Sequence, residues 1–231
     1  MPFGLKTAGA TFQRMMKTKV LQSLEEFTDA YIDDVEIDSS TFDEHLCCLE
    51  RVLARLRKFH LKVRPSKCKI AMPTVNFISH KVGSNSIQPR SILVSAIDKF
   101  PRPKTKTEVR KFIGIASYYR RYIRNFAEHA LPLTDLTRGK SAKSSEINWT
   151  SECQSAFQFL KEQLKSSPIL VPPSWDKEFL VQVDASNRGI GAVLAQHDSS
   201  GNEHPICYLS RKLKPSEEIL STSEKECLAL V

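Results

Sequence analysis

With 231 residues, 41% of them hydrophobic and 26% charged, the chain is long enough to bury a sizeable core and to divide into more than one domain. No apolar run approaches the ~20 residues of a membrane span, and the start has no basic-then-apolar leader, so an intracellular protein without membrane contact is expected. The net charge of +8 makes a polyanion the natural partner. The six cysteines, Cys47, Cys48, Cys68, Cys153, Cys207 and Cys227, form neither a CxxC pair nor a Cys/His cluster with zinc spacing. Buried reduced thiols are expected in place of a metal knuckle or a disulfide scaffold.

In chain order, MPFGLKTAGATFQRMMKTKVLQSL becomes helical after its glycine, with Phe12, Met15, Met16, Val20 and Leu24 on one face. FTDAYIDDVEID then reads as a hairpin, in which Phe27 to Ile32 is a strand, Val35 and Ile37 alternate with Glu36 and Asp38, and Asp33-Asp34 is the connection. An Asp pair is a common solvated turn, and a functional reading of it needs support from elsewhere in the chain. Thr41-x-x-Glu44 is a capping box for a helix carrying Phe42, Leu46, Leu49, Leu53 and Leu56, which ends before Pro65. KCKIAM and TVNFISHKV read as strands, with Gly83-Ser84-Asn85 as a turn.

From Arg90 the pattern is helical, with Ile92, Leu93 and Ile97 followed by Thr105-x-x-Glu108 capping Val109, Phe112, Ile113 and Ala116. Between Arg90 and Lys143 thirteen Lys or Arg face four Asp or Glu, so the basicity belongs to this segment. Tyr118, Tyr119 and Tyr122 interleave with Arg120, Arg121 and Arg124. That composition suits a sugar-phosphate backbone, or equally core aromatics beside solvated arginines. GKSAKSSE reads as a linker before a helix with Ala156, Phe157, Leu160 and Leu164. A final block begins at Trp175, where Phe179, Val181 and Val183 alternate on a strand ending in Asp184, two more strands follow, and SEKECLALV starts a helix. Asp184 could simply end its strand, and Glu226 could complete a capping box with Ser223.

These blocks, in this order, resemble the Pol polyprotein of Gypsy-type long-terminal-repeat retrotransposons. MPFGLKTAGATFQRMM resembles the nucleotide-supporting segment of a reverse-transcriptase palm, and AYIDDV its Tyr-x-Asp-Asp signature. LKVRPSKCKIAMPTVNFISHKV resembles the closing palm strands and primer grip, and TKTEVRKFIGIASYYRRYIRNFAEHALPLTDLT the thumb and connection. INWTSECQSAFQFLKEQL, FLVQVDASNRGIGAVLAQ and YLSRKLKPSEEILSTSEKECLALV resemble the tether and start of ribonuclease H. The resemblance implies an α+β chain, with a partial palm over 1–89, a helical basic thumb and connection over 90–145, a tether helix over 146–174 and the N-terminal half of a ribonuclease H-like α/β domain over 175–231. It implies RNA-directed DNA polymerase and hybrid-cleaving activity, with two Mg²⁺ or Mn²⁺ ions per site held by Asp33 and Asp34 in the palm and by Asp184 and Glu226 in the nuclease. Phe3, Gly4, Gln13, Tyr31, Phe77 and His80 would meet nucleotide or primer, and Arg110, Lys111, Arg120, Arg121 and Arg124 the nucleic-acid backbone. The implied partners are primer-template, RNA–DNA hybrid and deoxynucleoside triphosphates, and the implied location is cytoplasmic or nuclear.

The same resemblance places a further palm aspartate upstream of MPFGL and two further nuclease acids beyond Val231, so this chain alone is expected to be inactive. TAGA stands where the family has Asn-Ala-Pro-Ala, FISH where it has Phe-Leu-Gly-His, and Glu36 where an apolar residue is usual. Ser79 replaces a glycine at the primer-grip turn, and its Cβ restricts the backbone there. A non-catalytic nucleic-acid-binding remnant is the alternative reading.

Overall fold

The computed structural model describes residues 5–83, 85–139, 146–166 and 169–231, in two compact units, 1–78 and 79–231.

In the first unit, α1 (Ala8–Met15) runs into a π-helical turn, Met16–Val20. The apolar stripe expected along one straight helix is therefore spread over two windings and the turn after them. Met16, Val20, Leu21 and Leu24 are buried, with Phe12 and Met15 packed against them. The wider winding leaves carbonyls without helical partners, and Arg55 takes two of them, donating to Val20 O and Lys19 O at 2.7 Å each.

β1 (Thr28–Tyr31) and β2 (Asp34–Ile37) pair antiparallel. Their connection is Ile32-Asp33, one residue earlier than the sequence suggested, because Tyr31 stands opposite Asp34 and makes it the first residue of β2. With a side-chain period of two, Ala30, Val35 and Ile37 join the core, while Asp29, Tyr31, Asp34 and Glu36 share the opposite face. α2 (Phe42–Lys58) is capped by Thr41, whose hydroxyl accepts from Glu44 N at 3.2 Å. Its buried stripe is Cys48, Val52 and Leu56, and Phe42, Leu46 and Leu53 are exposed. Arg55 sets this rotation, because its bonds to Val20 and Lys19 turn its own side of the helix inward. KCKIAM forms no strand. It follows a tight helical turn at Pro65–Lys67, and Ala71 at φ 50 interrupts the extended backbone. β3 (Thr74–Phe77) ends the unit.

The strand expected through TVNFISHKV is broken after Phe77, where Ile78 and Ser79 take φ 41 and 64. In the second unit β4 (His80–Gly83) and β5 (Ser86–Pro89) pair antiparallel. Among the described residues the α-helices α3 (Ser91–Asp98), α4 (Lys106–Tyr118), α5 (Phe126–His129), α6 (Leu131–Leu136) and α7 (Ser151–Lys165) follow. Their apolar faces meet in one core around Val109, Phe112, Leu133, Phe157, Leu160 and Leu164. Tyr119 and Tyr122 belong to it, buried to 1% and 2% exposure, whereas Tyr118 faces solvent. Two of the three tyrosines are thus core. The proposed linker falls largely outside the described residues.

β6 (Leu180–Ala185), β7 (Gly189–His197) and β8 (Glu203–Lys212) form an antiparallel sheet in sequence order. α8 (Pro215–Glu218) and α9 (Thr222–Ala229) follow, and α9 packs on β6 and β7. Phe179, just before β6, and Val181 on it are exposed. All six cysteines are free. Only Cys48 and Cys153 are buried, and Cys47, Cys68 and Cys227 face solvent.

Candidate active sites

The Ile32-Asp33 turn is conformationally expensive. Ile32 has φ 53, a region in which a β-branched residue is strained by roughly 1–3 kcal/mol. Gln13 holds it there. The side-chain amide donates from Nε2 to Ala30 O at 2.6 Å, and its Oε1 accepts from Ile32 N. One amide therefore spans the last part of β1 and the turn, and both of its ends are used. Gln13, implied as a nucleotide or primer contact, sits as the brace behind the hairpin. Phe3 and Gly4 lie outside the described residues.

Asp33 and Asp34 are exposed, and among the described residues no hydrogen bond or ion pair engages either carboxylate. Tyr31, opposite Asp34, is half-exposed. Asp29 is engaged, pairing with Lys17 at 3.3 Å and accepting from Ala30 N at 2.8 Å. Glu36 stands opposite Asp29. Burial, then the charges of Asp38 and Asp29, push its carboxyl up from the ordinary value. An all-oxygen donor set of this kind fits hard cations such as Mg²⁺ or Mn²⁺. In number it falls short, since among the described residues no group of three or more His, Cys, Asp or Glu is placed to hold a metal ion.

The second pair has one member on a strand and one on a helix. Asp184 is the penultimate residue of β6, exposed, and its Oδ2 accepts from Asn125 Nδ2 at 3.2 Å. Glu226 is half-buried on α9. Its suggested capping role does not hold. The N-cap is Ser221, which accepts from Glu224 N at 3.4 Å while Glu224 Oε2 accepts from Ser221 N at 2.8 Å, so Glu226 is left out of the cap.

Ser79 adopts its strained conformation because its carbonyl is held twice, by Tyr119 Oη at 2.9 Å and Arg90 N at 3.3 Å. Tyr122 Oη meets His80 Nδ1 at 2.8 Å, and the His80 ring stacks on Tyr118 at 5.8 Å and meets Tyr119 edge-on at 5.7 Å. The missing glycine is thus replaced by a packed aromatic clamp. Burial, and then the neighbouring Arg121 charge, lower the His80 pKa, and burial pushes the Tyr119 hydroxyl up to about 12. Phe77, the other implied primer contact, is half-buried.

Of the implied backbone-binding residues, Lys111, Arg120 and Arg124 are exposed, and among the described residues their side chains have no hydrogen bond or ion pair. Arg110 is exposed but donates to Thr137 O at 2.9 Å. Arg121 is half-buried, with its Nε shielded and without a hydrogen-bond partner among the described residues. The sequence reading missed Gln13 as a brace and Asn125 altogether. The only signal for Asn125 was an Asn between two helical stretches, a residue type that tolerates left-handed backbone.

Comparison with known proteins matches residues 1–117 to the family described as Reverse transcriptase (RNA-dependent DNA polymerase) and residues 149–231 to the RNase H-like domain found in reverse transcriptase. The chain belongs to the reverse transcriptase family. It is 40% identical to the retrovirus-related Pol polyprotein from transposon opus and 32% identical to that from transposon gypsy, both of Drosophila melanogaster. Each match covers 100% of this chain, but only 24% and 23% of those polyproteins, so the chain spans about a quarter of their length. In fold it is similar to a foamy viral protease-reverse transcriptase in complex with dsDNA, with a TM-score of 0.84 at 23% identity over 100% of this chain and 47% of that one. The same viral protein in complex with RNA/DNA hybrid gives 0.82 at 22% identity, covering 100% and 30%.

Two outcomes follow from this geometry. Gln13→Ala leaves Ala30 O and Ile32 N without their partner, which should cost about 1–3 kcal/mol and speed hydrogen exchange at the Ile32 amide; unchanged protection there would contradict the brace. The His80 clamp should make stability fall on acidification. A histidine whose folded pKa is lowered binds fewer protons folded than unfolded, so its contribution is complete above the unfolded value of 6.5 and is lost as pH falls from there through the lower folded value. Urea denaturation between about pH 7 and pH 5 should show this loss, and His80→Phe should flatten it.

Proposed function

We propose that this chain is a working part of a reverse transcriptase and ribonuclease H, joining deoxynucleotides to a primer on an RNA or DNA template and cutting the RNA strand of RNA–DNA hybrids. The observation that carries the reading is the braced turn, which presents to water two carboxylates without a partner among the described residues, in a chain of the reverse transcriptase family. Asp33 and Asp34 would hold the palm cations, and Asp184 and Glu226 those of the nuclease. When bound, such cations lower the pKa of the attacking oxygen and balance charge at the leaving oxygen. The chain's own part is to fix where that charge is compensated, because groups oriented in advance need no reorganisation during the reaction. In polymerisation the primer 3′ oxygen bonds to the α-phosphorus and the bond to the β-phosphate bridge breaks, releasing pyrophosphate. In the nuclease a water oxygen takes the attacking role and a ribose 3′ oxygen leaves.

Lys111, Arg120 and Arg124 would neutralise backbone phosphates with little regard to sequence. The relatives' names support an element polyprotein as the larger context, and the nucleic acids bound in the foamy viral structures support primer-template and hybrid as partners. Two carboxylates cannot balance two dications at either site, so the 231-residue chain by itself should turn over slowly or not at all. A binding-only role is the second reading, favoured because among the described residues no group of three or more His, Cys, Asp or Glu is placed to hold a metal ion.

The test is a chimaera in which this chain replaces the matching quarter of the opus polyprotein. Asp33→Asn should abolish primer extension and spare hybrid cleavage, and Asp184→Asn should do the reverse. A chimaera that binds hybrid and catalyses neither reaction would favour the binding-only role. In the same chimaera, alanine at Lys111, Arg120 and Arg124 should reduce the slope of log K against log salt by about 0.9 for each phosphate no longer neutralised.

A further inference from the structure

The cleft beside Asp184 is lined by Asn125, Glu128, Ser186 and Ser210, so a helical segment far away in sequence is built into the wall of the candidate nuclease site. Asn125 stands just before α5 with left-handed backbone, φ 52 and ψ 35, a conformation that asparagine tolerates and most residues do not. From there its side chain reaches the strand pair. Nδ2 donates to Asp184 Oδ2 at 3.2 Å. Oδ1 lies against Gly191, the residue paired with Asp184 across β6 and β7. A Cβ on Gly191 would come within 2.0 Å of that oxygen, so the strand has a glycine where the asparagine needs the space, as a glycine inside a strand often signals. A separate bond seats the segment, from Ala127 N to Ser210 Oγ on β8 at 3.0 Å.

We propose that Asn125 is a positioning residue for Asp184. It holds Oδ2 in one orientation and leaves Oδ1 free to bind a divalent cation, and Gly191 is the glycine that makes room for it. The inference rests on the reading of Asp184 as a metal ligand. A carboxylate on an exposed strand end would otherwise rotate freely, and a neutral donor restrains it without adding a charge that competes with the cation. Groups that orient metal ligands in this way typically contribute about 10- to 100-fold in affinity.

The test is Mn²⁺ binding to the full chain, followed by electron paramagnetic resonance, in an Asp33→Asn, Asp34→Asn background that leaves the nuclease pair intact. Asn125→Gly keeps the left-handed backbone and removes the donor, and it should weaken binding about 10-fold. Gly191→Ala should give a similar loss by displacing the asparagine. Gln158→Ala, on the exposed side of α7 and outside this cleft, should leave affinity unchanged, and thermal unfolding of each variant separates a local effect from misfolding. If Asp184→Asn itself leaves binding unchanged, the ligand assignment of Asp184 fails. If Asp184→Asn removes binding but Asn125→Gly and Gly191→Ala do not weaken it, or tighten it, the positioning role fails and the assignment stands.

Discussion

A carboxylate that is to hold a divalent cation must be wet and still at once, and the two demands conflict. Water access forbids packing around the charged group, so rigidity has to come from the backbone beneath it. In the first unit that support is Gln13, whose single amide fixes Ala30 and Ile32 and holds a β-branched residue in left-handed backbone. Behind it, Ala30, Val35 and Ile37 lie on the core of Met16, Val20 and Leu24, and Arg55 secures the π turn that brings that core into register. In the second unit the strand pairing of β6 with β7 carries Asp184, and the α5 segment closes against it.

Much of the fold could be read from the sequence because it depends on period and capping. The alternation in FTDAYIDDVEID marked the hairpin, and Thr41 and Thr105 cap their helices as Thr-x-x-Glu suggests. Where local signals competed with tertiary contacts, the contacts won. An isoleucine at a turn position looks like strand, and only the Gln13 amide explains why the turn begins there. Ser221 with Glu224 and Ser223 with Glu226 are equivalent capping boxes on paper, and the start of α9 chose the first. The rotation of α2 was hidden because Leu46 and Leu53 make as good a stripe as Cys48 and Val52 until Arg55 finds its carbonyls.

The basic middle shows the same division within one short stretch. Tyr119 and Tyr122 are spaced for a helix face and become core and clamp, whereas Lys111, Arg120 and Arg124 remain in solvent. Composition alone could not separate those roles, since an aromatic beside an arginine serves packing and phosphate binding equally well. Asn125 was the least legible residue, because its function depends on a strand nearly sixty residues later and on a glycine within it.

The central claim is that the chain offers cations two defined places, and paramagnetic broadening of backbone amide resonances by substoichiometric Mn²⁺ tests it most directly. The account predicts losses confined to the Ile32–Asp34 turn and to the strand ends around Asp184 with the facing part of α9. Broadening spread over the acidic surface, or centred on Asp29, Asp43 or Asp198 while Asp33, Asp34 and Asp184 stay sharp, would contradict it.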